Sequence, residues 1–371
     1  MRLVFYISGH GFGHAARAIE VINAIAAARP DTTIIVKTSA ARWLFDLTVR
    51  GSVQIHASEC DTGVWQVDSL HLNERKTLEL ARAFYAGFAA RVDEEASFLR
   101  RVGATSVVAD LPPLAFAAAS AAGLPSIALG NFTWDWIYAD YLDRERPPGS
   151  REFLRTIEEA YRQARLVLRL PMWGGFDAFT APIVDLPFVA RHSRREPAET
   201  KAYLGLSGDR PLALVSFGGH DIRSLDVGAL GRLQRYRVVL TGVQETGAKR
   251  PPDSSLVWVD ETDLYRRGFR YEDLVRACDV VATKPGYGII AECVANETAL
   301  LYTSRGRFRE YGVLIEAMPR FLRCRFIDQE ALQAGRWEAA LDVLLAQPPP
   351  PERPATNGAE VAAARILDLA R

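Results

Sequence analysis

The sequence predicts an α/β protein with two doubly wound domains that face each other across a cleft. The chain has 371 residues, of which 49% are hydrophobic, and this length favours two separate cores. Short apolar runs alternate with segments of helical periodicity, which is typical of parallel sheets covered by helices on both faces. The alternation stops at the polar stretch HSRREPAET and then starts again. The two halves therefore share one organisation, with a boundary between residues 190 and 210.

The first half predicts an N-terminal domain over residues 1–190. Its strands are predicted at the apolar runs LVFYIS, TTIIVKTS, SVQIHAS, TSVVADL and PSIALGNF. Helices are predicted over HAARAIEVINAIAAAR, around 41–47, over 74–101 as one long helix, and over PPLAFAAASAAGL. Because βα units alternate, the strands are expected to run parallel.

The second half predicts a C-terminal domain over residues 191–350. Strands are predicted at DRPLALVSFGG, RYRVVLTG and SLVWVD, and 271–304 has the order helix, strand, glycine loop, helix, strand. PPPPERP is a proline-rich break. It begins a third segment, 351–371, whose closing helix could pack back on the N-terminal domain. In open α/β sheets a ligand lies beyond the carboxyl ends of the strands, so the loops after LVFYI, VSF and VVATK are predicted to carry the chemistry.

Composition excludes some classes of function. Lys and Arg number 45 and so do Asp and Glu, so net charge gives no reason to bind nucleic acid or an acidic membrane. The cysteines form no CxxC motif, which indicates reduced thiols and a cytoplasmic protein: Cys60, Cys278, Cys293 and Cys324. No apolar stretch reaches the length of a membrane span, and MRLVFYIS leads into a strand pattern instead of a signal region.

The first glycine loop, SGHGFGHAAR, lies at residues 8–17. It lacks the last glycine of GxGxxG, and no acidic residue ends the second strand, so a nicotinamide or flavin site is disfavoured. His14 falls in the first turn of the next helix, whose positive end favours the neutral imidazole that a general base needs. The alternative is a histidine that only caps the loop. His10 and His14 have the spacing of a metal pair, but the glycines oppose helix there, and no metal is predicted. The remaining candidates for acceptor or phosphate contact are Gly11, Gly13 and Arg17.

Two further glycine loops are predicted to hold a ligand in the second domain. SFGGHD, residues 216–221, contains Gly218 and Gly219, and TKPGYGIIAE, residues 283–292, opens a helix whose amides can face a phosphate. Glu292 lies two turns into that helix, where a carboxylate can take both ribose hydroxyls; the alternative is a surface glutamate. The cations that could supply phosphate charge are Lys284, Arg305, Arg307 and Arg309; the alternative for the arginines is a solvated loop.

The aromatic stretch NFTWDWIYADY follows the strand PSIALG. Aromatic rings beside polar groups suit a sugar, and Asn131 and Trp134 are acceptor-side candidates; the alternative is that the tryptophans are core. Asp135 is predicted to be catalytic, orienting either an acceptor hydroxyl or His14. Asp110, at the end of VVADLPP, is a second carboxylate candidate. Acceptor pockets are expected in the variable loops 58–75 and 131–150.

At these motifs the chain resembles the N-terminal, glycosyltransferase-like half of plant L-arabinokinases and their free-standing bacterial relatives. The resemblance extends to about residue 345, and the matching stretches occur in this order: SGHGFGHAAR, NFTWDWIYADY, DLPFVAR, VSFGGHD, CDVVATKPGYGIIAE and RFREYGVLIEAM. No kinase domain follows here, so sugar-kinase activity is not implied. More distantly, the chain is similar to the peptidoglycan N-acetylglucosaminyltransferase and to the nucleotide-sugar hydrolase of pseudaminic acid synthesis. All of these have the GT-B fold, two Rossmann-like domains.

The resemblance implies a nucleotide-sugar donor, with uridine favoured, on the C-terminal domain and an acceptor on the N-terminal domain. GYGIIAE matches the donor signature, and the residues implied there are Gly286, Tyr287, Gly288 and Glu292. GFGHAAR matches the hydrolase loop and places the base at His14. Ile289 stands where several relatives have a hydroxyl residue, so one phosphate contact is missing. The resulting prediction is a metal-independent inverting glycosyltransferase without a cofactor. Hydrolysis of the nucleotide sugar and binding without turnover remain alternatives.

Overall fold

The structure is a computed structural model that describes residues 1–145, 150–206, 210–217, 225–242 and 255–370. Its first sheet has seven parallel strands in the order β3-β2-β1-β4-β5-β6-β7. They are β1 Arg2–Ile7, β2 Thr33–Thr38, β3 Val53–Ala57, β4 Ser106–Asp110, β5 Ser126–Phe132, β6 Leu166–Gly174 and β7 Ile183–Asp185.

The second sheet has six parallel strands in the order β10-β9-β8-β11-β12-β13. They are β8 Leu212–Ser216, β9 Arg237–Thr241, β10 Leu256–Val259, β11 Val280–Thr283, β12 Ala299–Tyr302 and β13 Cys324–Phe326. In both sheets the chain reverses its winding direction in the middle, between β1 and β4 and between β8 and β11. The predicted pair of doubly wound parallel sheets is confirmed.

The helices cover both faces of each sheet. In the first half they are α1 Phe12–Ala28, α2 Arg42–Thr48, α3 Glu74–Ala86, α4 Phe88–Arg101, α5 Pro113–Ala121, α6 Trp134–Glu145 and α7 Ser150–Tyr161. In the second half they are α8 Pro197–Tyr203, α9 Val227–Leu230, α10 Glu261–Arg266, α11 Tyr271–Ala277, α12 Tyr287–Ala295, α13 Glu310–Ala317, α14 Gln329–Gln333, α15 Glu338–Leu345 and α16 Gly358–Leu369. Within the described ranges, no helix is long and apolar enough to cross a membrane.

The prediction of one helix over 74–101 is wrong. The chain forms α3 and α4, which are separated by Gly87. Glycine in a helix interior costs about 1 kcal/mol relative to alanine, so this position is a weak point where the helix can end. The break lets each segment bury its own apolar side, including Phe84 on α3 and Leu99 on α4.

The final helix, α16, packs against α1 of the first domain. The chain therefore crosses between the domains twice, once after β7 and once before α16. The two crossings are hydrogen-bonded to each other: the Phe188 amide donates to the Ala355 carbonyl, and the Gly358 amide donates to the Phe188 carbonyl. Val189 and Asn357 form an antiparallel bridge at the same place.

Candidate functional site

The loops after β1 and β4 bring His14 and Asp110 together. Gly11 precedes α1 with φ of +76°, a conformation that glycine adopts without strain. This turn places His14 in the first turn of α1, next to Asp110 at the end of β4. The Nδ1 atom of His14 lies 2.9 Å from Oδ1 of Asp110, and both side chains are buried. The position, where the winding of the sheet reverses, is where open α/β sheets place their ligands.

Arg17 fixes the other side of Asp110. Its Nε and one terminal nitrogen donate to the two carboxylate oxygens at 2.6 and 2.5 Å, a bidentate pair. Burial opposes ionisation of Asp110, but the charge of Arg17 and the hydrogen bonds from Arg17 and His14 outweigh it and lower the pKa of that carboxyl. Arg17 also donates to Oδ1 of Asn131 at 2.6 Å, and Asn131 donates to Glu310 of the second domain at 2.7 Å. The predicted residues Arg17, Asp110 and Asn131 therefore form one buried network.

The contacts at Nδ1 of His14 decide which ring nitrogen can accept a proton. The Asp110 carboxylate, which can only accept, lies 2.9 Å from Nδ1, nearer than the Arg17 terminal nitrogen at 3.1 Å, which can only donate; Nδ1 can bond one of them but not both. When Nδ1 carries the hydrogen and donates to Asp110, Nε2 is left with its lone pair. A carboxylate at Nδ1 favours this tautomer and stabilises the imidazolium that forms when Nε2 takes up a proton. The pair thus has the arrangement of a general base and its orienting acid.

Asp61 is a site residue that the sequence interpretation missed. Its buried carboxylate accepts hydrogen bonds from the Ser8 hydroxyl at 3.1 Å and from the Trp134 indole at 2.9 Å, and it lies 3.2 Å from Nε2 of His10. The Trp134 ring in turn stacks on the His14 ring at 6.2 Å between centroids. Asp61 therefore joins three loops of the N-terminal sheet edge. Its position shortly after β3, at the same edge, is the signal that could have found it.

We expect Asp61→Asn to reduce turnover and weaken the fold together. The amide keeps the shape but loses the charge that accepts three donors, and hydrogen bonds to a charged group contribute about 1.5–3 kcal/mol each. Denaturant unfolding measures the loss of stability, and the pH profile of turnover measures any effect on the nearby histidine. Asp46→Asn, on the exposed Arg42–Asp46 pair, is the control. An Asp61 variant as stable and as active as this control would contradict the assignment.

The structure pairs His14 with Asp110 and not with Asp135, for which orienting His14 was one of two expected roles. Asp135 lies in the first turn of α6, and its Oδ1 atom is buried without a hydrogen-bond partner among the described residues. Burial raises the pKa of Asp135. Trp134 is 2% exposed, so its ring is part of the core as well as a neighbour of His14. The catalytic assignment of Asp135 stays a prediction.

The carboxyl edge of the second sheet carries hydroxyl groups and two cations. The Thr283 hydroxyl donates to the Ser216 carbonyl, while the buried Thr303 hydroxyl has no partner within the described part of the chain. Lys284 donates to the side-chain oxygen of Gln66 at 3.1 Å, and Arg305 donates to the Pro285 carbonyl at 3.2 Å. Burial and the charge of Arg305 lower the pKa of Lys284 to about 7.

The two glycine loops of opposite domains touch each other. A methyl group placed on Gly288 would lie 3.4 Å from the Cα atom of Gly13. α1 and α12 therefore begin side by side, and neither has a side-chain cap or an acidic residue in its first turn. A helix N-terminus carries a partial positive charge and free amides, so the meeting of two such ends favours an anion.

Two other residues predicted to bind the nucleotide-sugar donor interact instead with groups of this chain. Glu292 is 4% exposed and accepts from Nε of Arg191 at 2.6 Å, so a ribose contact would require this pair to open. Tyr287 is buried, accepts from the Val189 amide at 3.1 Å, and its ring centroid lies 5.4 Å from the Arg17 guanidinium. These roles for Glu292 and Tyr287 stay predictions.

Two of the arginines that follow β12, Arg307 and Arg309, bond to residues of the first domain. Arg309 donates to the Trp136 carbonyl at 2.8 Å and lies over the Trp136 ring, and Arg307 bonds Glu74 and the Asp140 carbonyl. Gly286 immediately precedes α12. The predicted Gly218 and Gly219 lie outside the described residues. In the described ranges, no three His, Cys, Asp or Glu side chains are grouped so that they could hold a metal ion.

Comparison with known proteins confirms the sequence similarity that the motifs indicate. Over 376 aligned residues the chain is 28% identical to the L-arabinokinase of Arabidopsis thaliana, covering 99% of this chain and 34% of that protein. The chain thus spans about a third of the length of the curated relative that it matches. No protein-family model matches the sequence.

Solved structures confirm the GT-B fold. The glycosyltransferase of kitacinnamycin aligns with a TM-score of 0.62 at 14% identity, covering all of this chain and 94% of that chain. Glycosyltransferase VinC, solved with DTDP, gives 0.57 at 16% identity, covering all of this chain and 95% of the other. UGT2 of Phytolacca americana, solved with UDP-2fluoro-glucose and pterostilbene, gives 0.59 at 11% identity, covering all of this chain and 94% of the other.

Proposed function

We propose that this GT-B protein is a glycosyltransferase that moves a sugar from a nucleotide-diphosphate donor, with uridine favoured, to an acceptor hydroxyl. The observation that carries the proposal is the pairing of His14 with Asp110 at the point where α1 and α12 meet. One group suited to remove a proton therefore lies beside two helix ends suited to hold a diphosphate. The transfer is proposed to be inverting and metal-independent.

The anion is proposed to bind at the edge of the second sheet. Lys284 and Arg305 make hydrogen bonds to neutral oxygens there, and Nε of Arg305 and the Thr303 hydroxyl have no partner among the described residues. Buried cations and donors without an anionic acceptor are costly unless a ligand supplies one. A diphosphate would satisfy them. The solved structures of VinC and UGT2, which hold DTDP and UDP-2fluoro-glucose, support a nucleotide of this class.

The proposed reaction is a single displacement. Nε2 of His14 takes the proton of the acceptor hydroxyl as its oxygen forms a bond to the anomeric carbon. The bond between that carbon and the diphosphate oxygen breaks, and its electron pair leaves with the diphosphate. Asp110 stabilises the imidazolium, while the amides of the helix ends and Lys284 stabilise the leaving charge.

A turnover screen across nucleotide sugars tests this function. UDP-sugars and dTDP-sugars are incubated with and without added acceptors, and nucleoside diphosphate release and sugar transfer are both measured. The proposal expects release that depends on an acceptor. Release without any acceptor would instead assign hydrolysis, with His14 activating water. Tight binding without release would assign a nucleotide-sugar-binding protein.

Donor affinity is expected to fall as pH rises above neutrality. The pKa of Lys284 is about 7 in the free protein, and a diphosphate favours the protonated amine, so binding takes up a proton above that pH. Above pH 7, where the terminal phosphate of UDP is already ionised, the dissociation constant for UDP should rise, approaching about tenfold per pH unit. Calorimetric titration from pH 6 to 9 measures it. Lys284→Arg, which stays charged, should remove the dependence; an identical slope in this variant would rule out Lys284 as the cause.

A further inference from the structure

A hairpin of the first domain reaches into the second domain. Residues 64–72, here the 64–72 hairpin, pair through a bridge between Gln66 and Leu72 and a bond from the Val67 amide to the His71 carbonyl at 2.9 Å. At its tip the Asp68 carboxylate accepts from the amides of Leu70 and His71 at 2.7 and 2.9 Å. The tip is therefore held in shape by its own hydrogen bonds, independently of the surface that it meets.

The hairpin inserts its tip beside the cations of the second domain. Leu70 is 2% exposed and belongs to the apolar core of the second sheet, not to that of its own domain. The Leu70 carbonyl accepts from the Gly306 amide at 2.5 Å, and the Ser69 hydroxyl donates to the Phe217 carbonyl at 3.3 Å. Phe217 follows β8, and Gly306 adjoins Arg305. The contacts thus fall on the sheet edge where we place the donor diphosphate.

The side chain of Gln66 is hydrogen-bonded to the Lys284 ammonium group, which the nucleotide-sugar donor would need for its diphosphate. Its side-chain oxygen accepts from Lys284 at 3.1 Å. An amide oxygen is a weaker partner for an ammonium than a phosphate oxygen, because the phosphate carries a negative charge that attracts the ammonium and the amide carries none. The amide can therefore hold Lys284 and lose it to a diphosphate. The apolar anchor Leu70 must then leave its core position if the hairpin moves as a unit.

We propose that the 64–72 hairpin is an internal competitor that closes the donor site of the ligand-free protein and is displaced when the donor diphosphate binds. This inference rests on the donor site proposed above. Because the hairpin must first leave the site, the apparent donor affinity equals the intrinsic affinity multiplied by the fraction of molecules in which the hairpin is already withdrawn. Loss of its apolar anchor should therefore strengthen donor binding, which is the opposite of what damage to a binding site does.

Titration of the full chain with UDP and with dTDP tests the competitor. Leu70→Ser is expected to lower the dissociation constant roughly tenfold, since it removes most of one buried leucine from the closed state. Gln66→Ala is expected to lower it by a smaller factor. Val67→Ser is the matched control, because Val67 lies on the same hairpin and is 63% exposed; it should leave the constant unchanged. Thermal unfolding of each variant identifies any that fails to fold.

Amide hydrogen exchange of the wild-type protein gives a second measurement that needs no variant. On addition of saturating UDP, the Gly306 amide should lose protection because its acceptor Leu70 departs. The Val67 amide, bonded inside the hairpin, should stay protected. Protection of Gly306 that persists with UDP bound would overturn the competitor, as would a Leu70→Ser variant that binds UDP no more tightly than wild type.

The outcomes separate this inference from the donor site on which it rests. If the wild type binds UDP or dTDP but the hairpin variants bind no more tightly, the donor site stands and the competitor is rejected. If Leu70→Ser binds and the wild type does not, both are supported. If no variant binds either nucleotide, the donor site is rejected and the competitor with it.

Discussion

Replacement of His14 by alanine is expected to lower sugar transfer by about 10²–10⁴-fold, the range that general-base catalysis contributes. The affinity for UDP should stay within a few-fold, because His14 contacts Asp110 and aromatic rings and not the cations of the second domain. Steady-state kinetics should therefore show the loss in kcat, and calorimetric titration should show an unchanged dissociation constant. Asp110→Asn should reduce kcat in the same direction.

His10→Ala is the matched control for this prediction. His10 is a histidine of the same glycine loop, but its Nε2 atom lies 3.2 Å from Asp61. It should lose far less activity than His14→Ala, since it supports the loops and does not take the proton. A larger loss in the His10 variant, or wild-type turnover in the His14 variant, would move the base assignment away from His14.

Arg17→Met is expected to destabilise the fold by about 3–5 kcal/mol, the usual cost of leaving one partner of a buried ion pair uncompensated. Arg17 is 5% exposed, and its guanidinium holds both oxygens of Asp110 and the amide oxygen of Asn131. Denaturant unfolding measures the change. Arg42→Met, on the exposed pair with Asp46, should change stability by about 1 kcal/mol or less.

The double variant Arg17→Met with Asp110→Asn separates the charge from the packing. It should be more stable than Arg17→Met alone, because no unpaired buried charge remains. In the wild type the pKa of Asp110 is lowered in the folded state, so this carboxylate stabilises the fold above its unfolded pKa of about 4 and the contribution is lost as pH falls further. The double variant should lack that part of the acid sensitivity. A double variant no more stable than the single one would refute the ion-pair explanation.

The sequence was sufficient to predict two parallel sheets and the position of the candidate base, although the edge strands β6, β7 and β13 were not predicted. Buried parallel strands are short continuous apolar runs, and their carboxyl ends lie at one edge, so His14 and Asp110 could be placed near each other from the chain order alone. The choice of partner could not be made in this way. Asp110 and Asp135 both follow strands of that edge, and only the packing of α1 shows which carboxylate Nδ1 of His14 meets.

Contacts between the domains could not be predicted from the sequence. The hairpin tip at Leu70 is an apolar residue in a polar loop, which gives no signal of the distant core that it enters. Ion pairs between residues that are distant in sequence give no signal either. Glu292 and Arg191 pair in the structure, but nothing in the sequence around either residue indicates it. Residue 87 is different, because a glycine between two helical patterns carries the information that a helix ends there.

The paired crossings near Val189 and Asn357 determine how the domains can move. Two chain segments that are hydrogen-bonded side by side form a short ribbon, and such a ribbon bends across its flat face more readily than it twists or shears. Relative rotation of the domains should therefore follow a single bending axis that passes through these two paired segments. Entry of a donor and withdrawal of the 64–72 hairpin would then be two results of one rotation.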